Sequence, residues 1–275
     1  MIDILVIGNP TIDSIDSKYF GPGGPVTYVS NSLSQLGQKN INIVTSYGKD
    51  FLTENFIGYK NLLNFKSDFT NRFNFVFKSD NRKMEAISNS KKIYVEEIDL
   101  KISPKLVYIA PVLDEFSIEE TKKIMEKYKS SFFVCMPQGW IRKINGKEVE
   151  FDFSKIEKIP YFDILFFSDE EIKNSHLSLK KLKKMSNVLV ITKGKQGASV
   201  YMNEKTLHID SLNVKSVNTI GAGDIFSTVF GLELFLSNNL ISAGELANEI
   251  AARSIQHIGL SSINSNVFSK TLRKK

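Results

Sequence analysis

Short, nearly unbroken apolar runs recur along this chain and limit what it can fold into. They read DILVIG (3–8), INIVTSYG (41–48), KLVYIAP (105–111), SFFVCMP (131–137), FDILFFS (162–168) and NVLVITK (187–193). A strand with one face in water alternates apolar and polar residues, and these runs do not. They fit strands buried on both faces of a mostly parallel sheet. Helical stretches lie between them. The clearest is DEFSIEETKKIMEKYK (114–129), with acids early and lysines late, as the helix dipole favours. Strands alternating with helices predict a layered α/β fold, a central mostly parallel sheet flanked by helices. Two regions break the rhythm. Residues 71–88 alternate like an antiparallel hairpin around KSDNRK, and ASVYMNEKTLHID predicts a second hairpin turning at Asn203-Glu204. No repeat or linker divides the chain, so residues 1–275 are expected to form one domain, with the hairpin at about 71–88 as a small β lid.

Bulk properties exclude several functions. No apolar run is long enough to cross a bilayer, and MIDILVIGNP is too short and too acidic for a signal peptide. Cys135 is the only cysteine, which excludes disulfide frameworks and cysteine-based zinc sites. A cytoplasmic protein without a membrane partner is expected. The net charge of +6 comes from scattered lysines, and the one compact cluster, KTLRKK at the end, reads as a solvated tail. No nucleic-acid partner is expected.

The stretch SVNTIGAGDIFSTVFG (216–231) carries the most chemistry. Ile225, Phe226, Val229, Phe230 and Leu234 recur at helical spacing, so a buried helix should begin inside GAGD. A helix N-terminus offers unpaired N–H groups and a positive dipole end to an anion, and Gly221 and Gly223 would let that anion come close. Two readings of Asp224 are open: a residue that merely starts the helix, or a general base beside a phosphate. The commoner phosphate motifs are absent. There is no G-x-x-x-x-G-K-[ST], and VIGNPTID lacks the glycine spacing of a dinucleotide fingerprint.

Two further glycine clusters precede that stretch: GPGGPVTYVSNSLSQLG, where Gly23-Gly24 open a helix ending near Gly37, and ITKGKQGASVY with Gly194 and Gly197. In this order the three clusters resemble the ribokinase family, the PfkB-type carbohydrate kinases. That family has a glycine pair near its start, a T-x-G-x-x-G segment late in the chain and a D-T-x-G-A-G-D signature. The resemblance runs from Ile4 to about Gly259. It implies a ribokinase-like fold with a β lid, and transfer of the γ-phosphoryl of ATP, with Mg2+, to a hydroxyl of a small polyol, sugar or nucleoside. By the same resemblance Asp224 is the catalytic base, and Gly221, Ala222 and Gly223 form the anion hole. Thr192, Gly194, Gly197 and Thr219 line the nucleotide. Asp13, Gly23 and Gly24 approach the acceptor. Glu171 in SDEEI ends the family's N-x-x-E motif, which organises magnesium through water; its simpler reading is an acid at a helix start. A monomer or homodimer is expected.

Several positions depart from the family pattern. Asn218 replaces the first acid of the signature, which helps to hold a monovalent-cation loop, so potassium activation does not carry over. Ser168 replaces the Asn of N-x-x-E. Asp13 and Gly23 stand ten positions apart, which nearly removes the lid segment usually found there and leaves the 71–88 hairpin to supply most of the cover. GGPVTYVSNSL and CMPQGWIRK resemble the inositol-kinase-like branch. That likeness would put Tyr28, Gln138 and Arg142 near the acceptor, and it ranks myo-inositol or a similar cyclic polyol first, nucleosides second and ketoses or ketoacid sugars third. Tyr28 and Trp140 could instead be core, and Arg142 a surface ion pair. A non-catalytic nucleotide-binding regulator on the same fold is the other reading; a retained base argues against it.

Overall fold

The computed structural model describes residues 2–78, 81–87 and 90–272. Part of the expected KSDNRK turn (Ser79, Asp80), the last residue of the 71–88 hairpin (Ser88) and the end of the basic tail therefore lie outside the described residues. Strand β1 (Ile4–Gly8) leads into a hairpin of β2 (Thr11–Ile15) and β3 (Tyr19–Gly23), then helix α1 (Pro25–Gln35), β4 (Ile41–Thr45) and β5 (Tyr59–Asn64). The hairpin β6 (Asn71–Lys78) and β7 (Asn81–Ile87) precedes β8 (Leu106–Ala110), α2 (Ile118–Lys127) and β9 (Phe132–Cys135). A further hairpin, β10 (Arg142–Asn145) and β11 (Glu148–Phe151), is followed by β12 (Phe162–Ser168), α3 (Asp169–Lys173) and α4 (Leu179–Leu182). The chain closes with β13 (Ser186–Thr192), the hairpin β14 (Ala198–Met202) and β15 (Lys205–Ile209), and helices α5 (Ala222–Ser237), α6 (Leu240–Ser254) and α7 (Ser265–Leu272).

Among the described residues the main sheet runs β15-β14-β13-β12-β9-β8-β1-β4-β5. Pairing is parallel from β13 to β5 and antiparallel at the β14–β15 edge. The unalternating runs have the expected cause. In β1, Ile4 and Val6 face a core shared with α1, α5, α6 and α7, whereas Leu5 and Ile7 face a second core that includes Ile118 and Ile124 of α2. Both faces are covered, so every position is apolar. Each fully buried aliphatic side chain contributes about 1.5–3 kcal/mol relative to exposure. Helix α2 starts where its acids predict, with Ser117 Oγ accepting from Glu120 N at 3.1 Å.

The lid is larger than the single hairpin expected from the sequence. A six-stranded sheet, β10-β11-β7-β6-β2-β3, gathers three hairpins. The short segment from Thr11 to Gly23 is one of them, with β2 parallel to β6. Phe73, Phe75, Met84 and Ala86 on its inner side pack with Val112 and Leu113 as a third apolar cluster. RKIN and EVEF read poorly as strands because they offer only Ile144 and only Val149 and Phe151 to that cluster, and TIDSI because it offers none, its Ile12 packing on the first core instead.

Candidate active site

The carboxyl ends of the parallel strands and the inner face of the lid enclose a cavity of about 960 Å³. That edge of an open parallel sheet is where such folds bind ligands, because the loops there converge. Thr192 ends β13, Ser168 ends β12, Gln138 follows β9, and all three line the cavity. Asp13 comes from β2, and α5 brings its N-terminus from the far end of the chain.

Helix α5 begins within GAGD, as its spacing predicts. Gly221 is its N-cap, at φ +80°, and no side chain caps it. The first-turn N–H groups, including those of Gly223 and Asp224, have no carbonyl four residues earlier in the helix to bond. Over sixteen residues of helix this leaves a positive end facing the cavity. A side chain at Gly221 would be strained there, and its Cβ would lie 2.3 Å from the ring of Tyr28. Tyr28 borders the cavity but is only 2% exposed, and its ring packs beneath this loop. Asn218 Oδ1 accepts from Ile220 N at 2.7 Å and braces the same loop.

Three carboxyls, Asp13, Asp224 and Glu171, line the cavity with raised pKa values. Burial pushes Asp13 up to about 7; the Thr11 hydroxyl opposes that rise, nearby Asp224 adds to it, and Arg142 lowers it. Thr11 Oγ1 donates to Asp13 Oδ1 at 2.5 Å. Burial pushes Asp224 up to about 6, opposed by Arg142 and by the Gln138 amide, with Glu171 adding to the rise. Gln138 Nε2 donates to Asp224 Oδ1 at 3.1 Å, and Arg142 donates to Gln138 Oε1 at 2.7 Å. Arg142 thus borders the cavity, half-buried, and its guanidinium sits 5.6 Å from the centre of the Phe73 ring. Glu171 lines the cavity and also closes a capping box: its Oε2 accepts from Ser168 N while Ser168 Oγ accepts from Glu171 N. Burial raises its pKa too.

Thr192, Gly194, Gly197, Thr219, Gly221, Ala222, Gly223, Asp224, Asp13, Gly24, Tyr28, Gln138, Arg142 and Glu171 all border this one cavity. Gly23 does not. A Cβ there would fall 2.0 Å from Asp13 Oδ2, so its bare backbone makes room for that carboxylate. Trp140 is core: it is 2% exposed, its Nε1 donates to Phe116 O, and it stacks on Phe162. Sequence reasoning missed Thr11 and the apolar lining residues Val214, Ala251, Ala252 and Ile255. The hydroxyl two residues before Asp13 was a readable sign, whereas small residues in α6 look like ordinary helix packing.

Fold and site together place the protein in the ribokinase-like class of α/β folds. The chain belongs to the pfkB family of carbohydrate kinases, whose family model matches residues 76–266. A Pyrococcus horikoshii protein described as a sugar kinase is 30% identical over 149 residues, 52% of this chain and 47% of that protein. An ATP-dependent 6-phosphofructokinase of Thermoanaerobacterium thermosaccharolyticum is 25% identical over 293 residues, covering 94% of this chain and 89% of the enzyme. The chain thus spans about half of the first relative and most of the second. Among solved structures, a pyrophosphate-dependent kinase in the ribokinase family, complexed with a pyrophosphate analogue and myo-inositol, superposes with TM-score 0.81 at 19% identity. The superposition covers 97% of this chain and 99% of that one.

Proposed function

We propose that the protein transfers the γ-phosphoryl of ATP to a hydroxyl of a small acceptor, with a cyclic polyol such as myo-inositol as the first candidate. The observation that carries this reading is the meeting of Asp224, the uncapped N-terminus of α5 and Asp13 in one cavity. Phosphoryl transfer needs little covalent help; it needs positioning and charge stabilisation. Asp224 accepts the acceptor's proton, and the N–H groups of the Gly221–Gly223 loop hold the transferring group. Asp13 accepts hydrogen bonds from acceptor hydroxyls. Val214, Ala251, Ala252 and Ile255, which line the cavity together with the polar Asn213 and Asn248, suit a nucleobase, and this supports ATP over pyrophosphate as donor.

The QGWIR segment supports a polyol, as does the myo-inositol bound by the structural neighbour. A nucleoside is the second reading, favoured by the apolar roof that Phe73, Phe75 and Met84 place over the acceptor end.

Among the described residues no group of three or more His, Cys, Asp or Glu side chains forms a metal cage. Glu171, which lines the cavity, would help to hold a magnesium ion brought in on the nucleotide phosphates through the ion's waters. Bound there, the ion would neutralise phosphate charge. A coupled ADP-release screen over inositols, nucleosides, ribose, fructose phosphates and 2-keto-3-deoxy acids tests the reading. ADP release with one acceptor class, abolished by excess chelator, is the expected result; no release with any acceptor, or full turnover under chelation, counts against it. With the active acceptor, kcat/KM is expected to fall as pH drops through about 6, where Asp224 of the free protein takes up a proton and stops acting as a base. A flat profile from pH 5 to 8 would contradict that assignment.

A further inference from the structure

We propose that Gln138 is a positioning residue for Asp224, and that its amide selects Oδ2 as the carboxylate oxygen that takes the acceptor's proton. The inference rests on the reading of Asp224 as base and adds the atom at which it works. Gln138 lies in the turn of helix between β9 and β10, and Arg142 opens β10. An amide side chain can present either its oxygen or its nitrogen, and the hydrogen-bond network decides which. Here the decision comes from Arg142. A guanidinium has only donors, so the group it meets at 2.7 Å must be the amide oxygen, Oε1. The NH2 group is then forced toward Asp224, where it donates to Oδ1 at 3.1 Å. Arg142 is itself steered by Phe73 of the lid, under its guanidinium.

With Oδ1 engaged, Oδ2 accepts no hydrogen bond from a described residue and is the oxygen left for substrate. In the transfer step the acceptor's proton moves to Oδ2 while the acceptor oxygen bonds to the γ-phosphorus. The bond from that phosphorus to the β,γ-bridging oxygen breaks, and ADP leaves. The amide also favours the ionised carboxylate. Other charged or titratable groups near Asp224 are Arg142, Glu171, Asp13 and Tyr28; Arg142 favours the ionised form, and the other three oppose it when ionised.

Gln138→Leu and Gln138→Glu test this. The carboxyl of Asp224 is followed by 13C NMR in each folded variant and assigned by its loss in Asp224→Asn. Its titration midpoint is expected to rise by about one pH unit in Gln138→Leu, the usual effect of removing one N–H donor from a carboxylate. In Gln138→Glu, which keeps the size and the Arg142 partner, a second carboxylate faces Asp224 and the rise should be larger. The Glu variant alone suffices if the Leu variant does not fold. With the active acceptor, Gln138→Leu should lower kcat roughly 10-fold while the ATP KM stays within about a factor of two. An unmoved midpoint, or a loss confined to KM, overturns the proposal. Turnover kept in Asp224→Asn would instead end the reading of Asp224 as base; the NMR midpoint reports the Gln138 contact independently of turnover.

Discussion

Asp224→Asn is expected to lower kcat by roughly 10²–10⁴-fold, the usual worth of a positioned general base. The ATP Kd should change little, and could tighten because a negative charge near the phosphates is gone. The two readings of GAGD part here. If Asp224 only started α5, Asn would serve nearly as well, since the two residues suit helix starts about equally. The variant keeps the shape of the side chain, and its amide can still accept from Gln138 Nε2 through Oδ1. It should therefore fold and bind ATP normally. A well-folded variant that binds ATP and keeps more than about a tenth of the rate would return Asp224 to a structural role, and with it would revive the non-catalytic regulator. The measurement is kcat, the nucleotide Kd and a melting curve on both proteins.

Asp13→Ala is expected to raise the acceptor KM by about 10²-fold, because a carboxylate hydrogen bond is worth about 1.5–3 kcal/mol and Asp13 offers more than one. Nucleotide affinity should hold, since Asp13 rides on β2 of the lid sheet, whereas the apolar residues proposed to receive the nucleobase come from α6, from Ile255 just after it and from the loop before α5. Equal losses for both ligands would place Asp13 wrongly. The isosteric Asp13→Asn variant adds a stability test. In the fold Asp13 titrates at about 7, against 3.8 for the free side chain, so between those values the native state holds a proton that the unfolded chain releases. Native stability is therefore largest below pH 4 and declines as pH rises through about 7, by about 4 kcal/mol at most for a shift of this size. Asn has nothing to ionise. Its Tm should exceed that of the wild type by about 5 °C at pH 8 and match it near pH 4. Parallel melting curves at both pH values would contradict the buried, protonatable state of Asp13.

The layered architecture was legible because covered strands write their burial directly into the sequence. DILVIG and FDILFFS lack alternation since both sheet faces carry helices or loops. The onset of α5 within GAGD, the end of α1 before Gly37 and the hairpin at Asn203-Glu204 were equally readable, being local matters of spacing and backbone conformation. The tasks of Tyr28, Trp140 and Gly23 were not. An aromatic ring reads the same in a sequence whether it stacks on a ligand, on Phe162 or under the Gly221 loop. A glycine beside a ligand likewise looks no different from one that clears space for Asp13.

The sequence by itself determined the sheet, its helices and the glycine turn that opens α5, each of which depends on residues within a few positions of one another. Tertiary packing decided the rest. It assembled a six-stranded lid from three hairpins too short to announce themselves, and it brought Gln138 against Asp224 across 86 positions of chain. Periodicity reports which face of an element is buried. Which residue that face meets, and so which oxygen of a carboxylate remains open to a substrate, is set by packing between elements far apart in the chain.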